Sequence, residues 1–123
     1  MAKGKQTNSE KLVQSIIQGI QEKKGKGVIG LNLTKLNNSV SNYFVICHGN
    51  TKVQVEAIAE SVEENVRKKL SDKPWHKEGF ENAEWILLDY VDVVVHIFQE
   101  STRTFYNLEK LWADAEIKEY ESE

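Results

Sequence analysis

The chain holds one cysteine, one proline and one methionine among 123 residues, and each scarcity removes a class of protein. A lone Cys47 permits no intramolecular disulfide, so the core alone must hold the fold. No apolar run approaches the roughly 18 residues that a membrane span requires. The stretch from Met1 to Glu10 lacks the apolar segment of a signal peptide, and we expect a reducing cytoplasm. Charge of either sign is scarce in excess: sixteen Lys and Arg against nineteen Asp and Glu leave a net −3. That balance argues against a broad, sequence-blind grip on nucleic-acid phosphates and suits a basic protein partner better. A chain of this length buries roughly two-thirds of its unfolded surface, as one domain, without staples.

The richest stretch is Trp85-Ile-Leu-Leu-Asp-Tyr-Val-Asp-Val-Val-Val-His-Ile-Phe98, dense in β-branched, aliphatic and aromatic side chains. It reads as a β-hairpin at the centre of the fold. With Tyr90-Val91 as the turn, Asp89 opposes Asp92, Leu87 opposes Val94 and Trp85 opposes His96. One face then carries Ile86, Leu88, Val93, Val95 and Ile97, which is core. The other mixes Trp85, Leu87, Asp89, Asp92, Val94, His96 and Phe98. Val91 suits a tight primed turn poorly, because a β-branched residue is strained at positive φ.

In chain order, residues 1–8 read as a polar, mobile tail. Ser9 can cap a helix whose Val13, Ile16, Ile17 and Ile20 fall at helical spacing and which ends near Lys23-Lys24-Gly25. Val28 to Leu33 reads as a strand, Thr34 to Asn42 as a loop, and Tyr43 to Cys47 as a strand buried on both faces. Thr51 and Gln54 form a capping box opening a helix with Val55, Ile58, Val62, Val66 and Leu70 inward. Pro74 stops continuation, and Trp75 to Phe80 can form a short strand before the hairpin. Glu100 to Ala115 reads as a last helix, and residues 116–123 as an acidic tail without structure. The order α-β-β-α-β-β-β-α implies a single α/β domain of the α+β-like kind over residues 9–115, one mixed sheet flanked by helices.

Cys47 and His48 are adjacent on a strand and so point to opposite faces, which denies them a thiol–imidazole dyad and makes Cys47 a small core residue. Cys47, His48, His76 and His96 with the aspartates show no metal-ligand spacing. Gly49-Asn50-Thr51, between a strand and a helix, is either a simple helix start or an anion cradle of backbone N–H groups. Asp89 and Asp92 are open to three readings: turn-capping aspartates, ligands of a metal, or acceptors for a partner's basic side chains. Trp85, His96 and Phe98 are ordinary core if a helix covers them, and an aromatic patch flanked by acids if they are open.

The run from Trp85 to Phe98, with Glu78-Gly79 before it and Glu100, Arg103, Phe105-Tyr106, Leu108-Glu109 and Leu111-Trp112 after it, resembles the ribosomal silencing factors, or Iojap family. Tyr43-Phe-Val-Ile-Cys47, Gly49, Thr51, Gln54-Val55 and Ala57-Ile-Ala59 extend the likeness, which covers about residues 9–115. The resemblance implies a nucleotidyltransferase-like mixed sheet of about five strands without that class's catalytic carboxylates, and no cofactor. It implies binding to protein fourteen of the large ribosomal subunit, a basic protein of the intersubunit face. Small-subunit joining is then blocked and translation lowered; organelle relatives are also credited with large-subunit assembly. It places the interface tryptophan at Trp85, the hydrophobic turn contact at Tyr90 and the acidic contacts at Asp89 and Asp92. Val91 stands where the family usually has glycine, and Asn42 where it usually has aspartate.

Together these suggest a steric block by a protein that is not an enzyme, with Trp85, Asp89, Tyr90, Asp92 and His96 as the partner-binding residues. The same apolar patch is available for a homodimer off the ribosome. Two other functions compete. One is a divergent nucleotidyltransferase with nucleotide at Gly49-Asn50-Thr51 and metal at Asp89 and Asp92. The other is an RNA-binding module using Lys52, Arg67, Lys68 and Lys69.

Overall fold

A computed structural model describes residues 7–36 and 41–121. Nearly all of the expected N-terminal tail, the middle of the 34–42 loop and the last two residues lie outside the described residues. Helix α1 (Asn8–Glu22) begins two residues earlier than a cap at Ser9 would place it. Thr7 is the cap: its hydroxyl accepts from the N–H of Glu10 at 3.1 Å, and the Glu10 carboxylate accepts from the N–H of Thr7 at 2.9 Å. This reciprocal box satisfies two helix-end donors at once, whereas Ser9 is buried.

The chain continues through β1 (Lys26–Asn32), β2 (Tyr43–Gly49), α2 (Lys52–Leu70), β3 (His76–Glu78), β4 (Trp85–Asp89) and β5 (Val93–Gln99). It closes with α3 (Glu100–Tyr106), α4 (Leu108–Leu111) and β6 (Glu116–Glu119). The sheet runs β3-β4-β5-β2-β1-β6, with the central β2–β5 pair parallel and its neighbours antiparallel. Covered on both faces, β2 and β5 read as near-continuous apolar runs for that reason.

Helices α1 and α2 cover one face. Ile16 and Ile20 from α1 and Ile58, Val62 and Val66 from α2 meet Val45, Cys47, Ile86, Leu88, Val93, Val95 and Ile97 there. The two helices approach closely because Gly19 has no side chain: a Cβ would lie 2.8 Å from Cα of Val62. Ser61 Oγ donates to the Gly19 carbonyl at 2.7 Å, and Asn65 Nδ2 to the Ser15 carbonyl at 2.6 Å, so the polar groups buried in this seam are paired. The second face carries Ile29, Leu31, Leu33, Phe44, Ile46, Val94 and Phe98, with Leu108 and Trp112 packed over part of it.

Three sequence expectations are corrected. The residues read as an unstructured acidic tail include β6, a sixth strand, antiparallel to β1 with Ile117 opposite Leu31. Composition argued for solvent, but the open edge of β1 supplies backbone partners, and the Tyr120 ring lies 3.3 Å from where a Gly30 side chain would begin. The expected single helix over 100–115 breaks at Asn107, which adopts φ +48° and ends α3 before capping α4 with its own side chain. The hairpin register is offset by two: Trp85 opposes Phe98, Leu87 opposes His96 and Asp89 opposes Val94. An even offset keeps every residue on its expected face but removes Asp92 from opposite Asp89.

Candidate functional site

Strand β4 sits between the short edge strand β3 and β5, and α3 covers only part of its second face. Trp85, Leu87 and Asp89 alternate along it and are all partly exposed. The Trp85 ring lies 4.9 Å from Phe98 and 4.8 Å from Tyr106, the last residue of α3. Its indole Nε1–H donates to Nδ1 of His96 at 3.1 Å.

That bond defines the state of His96. The ring is 5% exposed, and burial pushes its pKa down to about 4. It is therefore neutral at neutral pH, accepts at Nδ1 and carries its proton on Nε2, which has no hydrogen-bond partner among the described residues. Phe44 stands edge-on to it at 4.7 Å. His96 thus supports Trp85 from beneath the surface.

The two aspartates serve the turn. Asp89 accepts from the N–H of Val91 at 2.7 Å. Asp92 is exposed, and its carbonyl accepts from the N–H groups of Asn42 and Tyr43 at 2.9 and 3.1 Å. Tyr90 lies apart from them: it is 6% exposed and packs into the core on the α1–α2 side, where burial raises its hydroxyl pKa. The apolar residue that the turn exposes is Val91. Trp85, Leu87, Asp89 and His96 therefore share one face, Asp92 stands at the tip, and Tyr90 faces the other way.

Sequence reasoning missed Tyr106 against Trp85 and the device that holds α3 there. Arg103 donates to the Gly27 carbonyl at 2.6 Å, lies 2.9 Å from Nδ1 of His48 and pairs with Glu109 at 2.9 Å. Burial, then Arg103, lowers the His48 pKa and keeps that ring neutral. Cys47, on the opposite side of β2, is fully buried, and burial pushes its thiol up to about 12. The helix start after Gly49 is occupied by the chain itself: the Gln54 side-chain oxygen accepts from the N–H of Asn50 at 2.8 Å, and Thr51 Oγ1 accepts from the N–H of Gln54 at 3.0 Å. Only half of the expected capping box forms. No group of three or more His, Cys, Asp or Glu side chains among the described residues is arranged to hold a metal ion, and no described helix is long and apolar enough to cross a membrane.

Fold and surface together define an α+β domain whose distinctive feature is an aromatic and acidic strip on a half-covered sheet. A crystal structure of a Chromobacterium violaceum protein has this architecture, with a TM-score of 0.81 and 32% identity over 87% of this chain and 88% of that one. The sequence profile of the family described as ribosomal silencing factor during starvation matches residues 6–123. A ribosomal silencing factor of Halalkalibacterium halodurans is 39% identical over 114 residues, 93% of this chain and 96% of that one. One of Bacillus subtilis is 36% identical over 110 residues, 89% and 92% of the two chains. The chain belongs to the ribosomal silencing factor family.

Proposed function

We propose that the chain docks on the large ribosomal subunit through that subunit's protein fourteen and sterically blocks joining of the small subunit, lowering translation in the cytoplasm. The observation that carries this reading is Trp85: a large aromatic ring held in place by a neutral, buried histidine, yet partly exposed on the sheet's half-covered face, which it shares with Leu87 and, at the other end of β4, Asp89. Rigid aromatic anchors of this kind dominate interface energetics. Trp85 and Leu87 supply apolar contact, Asp89 and Asp92 meet Lys or Arg of the basic partner, and His96 acts through Trp85. The docked body occupies small-subunit space, and no covalent step is needed. Off the ribosome the same strip is open to a second copy of the chain.

The test is co-sedimentation of the full chain with purified large subunits at moderate salt, followed by addition of small subunits. Wild type is expected to bind and to prevent joining. Trp85→Ala, folded by circular dichroism, is expected to lose both, with affinity falling by at least about thirtyfold. Absence of wild-type binding, or a Trp85→Ala variant that binds and blocks equally well, overturns the reading.

A further inference from the structure

Val91 is held in a conformation that its side chain disfavours. Its φ is +75°, and the N–H of Asp92 donates to the Tyr90 carbonyl at 2.9 Å, which makes Tyr90-Val91-Asp92 a γ-turn with its central residue in the left-handed half of conformational space. Glycine suits that position, and a β-branched residue is strained there. Among the described residues its side chain joins neither apolar cluster, and it is 57% exposed.

The turn is nonetheless fixed on every side. The N–H of Val91 donates to Asp89 at 2.7 Å, the Val91 carbonyl accepts from Ser41 Oγ at 3.1 Å, and the Asp92 carbonyl accepts from both Asn42 and Tyr43. Strained backbone persists only where its surroundings over-determine it, and such places cluster where a chain meets its ligand.

We propose that Val91 is an apolar contact of the docking surface, displayed by this turn toward a cationic face of a ribosomal protein. The inference rests on the ribosomal reading above and names a residue that reading leaves out. Charge identifies the partner's chemistry. The stretch from Glu78 to Thr102 carries six acidic residues and no Lys or Arg; Asp89 and Asp92 lie at the turn, Glu84 and Glu100 at the far end of the hairpin, and Lys11 of α1 lines the cleft beside Tyr90 and Asp92. Val91 lies between two of those carboxylates. An opposing Arg or Lys sets its charged head beside Asp89 and Asp92 and its aliphatic stem on the Val91 methyl groups.

The experiment compares wild type, Val91→Gly, Val91→Thr and Trp85→Ala, each as the full chain, for thermal unfolding and for titration against purified large subunits. Val91→Gly is expected to melt higher than wild type and yet bind about tenfold more weakly, two readouts moving in opposite directions. Val91→Thr keeps the β-branch and the wild-type melting temperature and binds about threefold more weakly. Val91→Gly and Val91→Thr proteins that bind as wild type does overturn the inference; if Trp85→Ala still abolishes binding in that case, the ribosomal reading stands. Absence of binding by wild type overturns both.

Discussion

Trp85 reaches His96 diagonally across the hairpin. Because Trp85 directly opposes Phe98 and Leu87 opposes His96, the indole must lean along the strand to place its Nε1–H 3.1 Å from the imidazole Nδ1. The bond requires a neutral imidazole, so it couples the surface anchor to the protonation of a buried group.

The pH dependence of stability follows. His96 titrates near 4 in the folded chain and near 6.5 when unfolded, so between those values the unfolded state binds the extra proton. Stability is therefore fully present above about 6.5 and is lost as pH falls toward 4, by at most about 1.4 kcal/mol per pH unit from this group. His48, also lowered by burial, adds loss of the same sign. Urea unfolding between pH 7 and 4.5 should show this slope, and His96→Phe should flatten it. An unchanged slope in that variant means that His96 is not the group responsible.

The α1–α2 seam makes a second test. Gly19→Ala drives a Cβ to 2.8 Å from the Val62 backbone, where no flexible side chain can yield. Overpacking of this kind should cost about 2 kcal/mol. Ser61→Ala, which removes the 2.7 Å bond to the Gly19 carbonyl and the longer 3.3 Å contact with the Glu22 carboxylate, should cost about 1 kcal/mol. Equal stabilities of Gly19→Ala and wild type in denaturant would show that the helices can separate without loss.

Arg103 pins α3, and its removal should act locally. Arg103→Ala leaves Glu109 and the Gly27 carbonyl without their donor and should cost about 2 kcal/mol, given that the Arg103 side chain is 12% exposed. Hydrogen exchange is the discriminating readout: α3 amides should lose protection while those of α1 and α2 keep it. The Trp85 indole resonance should shift as Tyr106 leaves it. Uniform loss of protection would instead mean that α3 does not open independently.

A chain ending at Ala115 lacks β6 and bares the edge of β1. It should melt lower and show concentration-dependent association in light scattering, since an unpaired strand edge recruits other edges. Monomeric behaviour with unchanged melting would make β6 an ornament of the fold.

The sequence by itself determined which residues face which way. Alternation with period two assigns Ile86, Leu88, Val93, Val95 and Ile97 to the core and Trp85, Leu87 and His96 to the opposite face, and an offset of two residues in register leaves that assignment intact. Family membership was equally legible, because it rests on residue order. Tertiary structure alone decided what each face meets. Ile117 pairs with Leu31 across 86 residues, a partnership that no local pattern in an acidic stretch announces. Tyr90 turns into the core and leaves Val91 at the tip because the hydrogen bonds from Asn42, Tyr43 and Ser41 fix the turn from a different part of the chain. Trp85 is neither core nor bare surface because α3, anchored through Arg103 on Gly27 and His48, covers one flank of it and stops there. Periodicity is a property of neighbours in sequence, whereas exposure depends on which distant element arrives to cover a face.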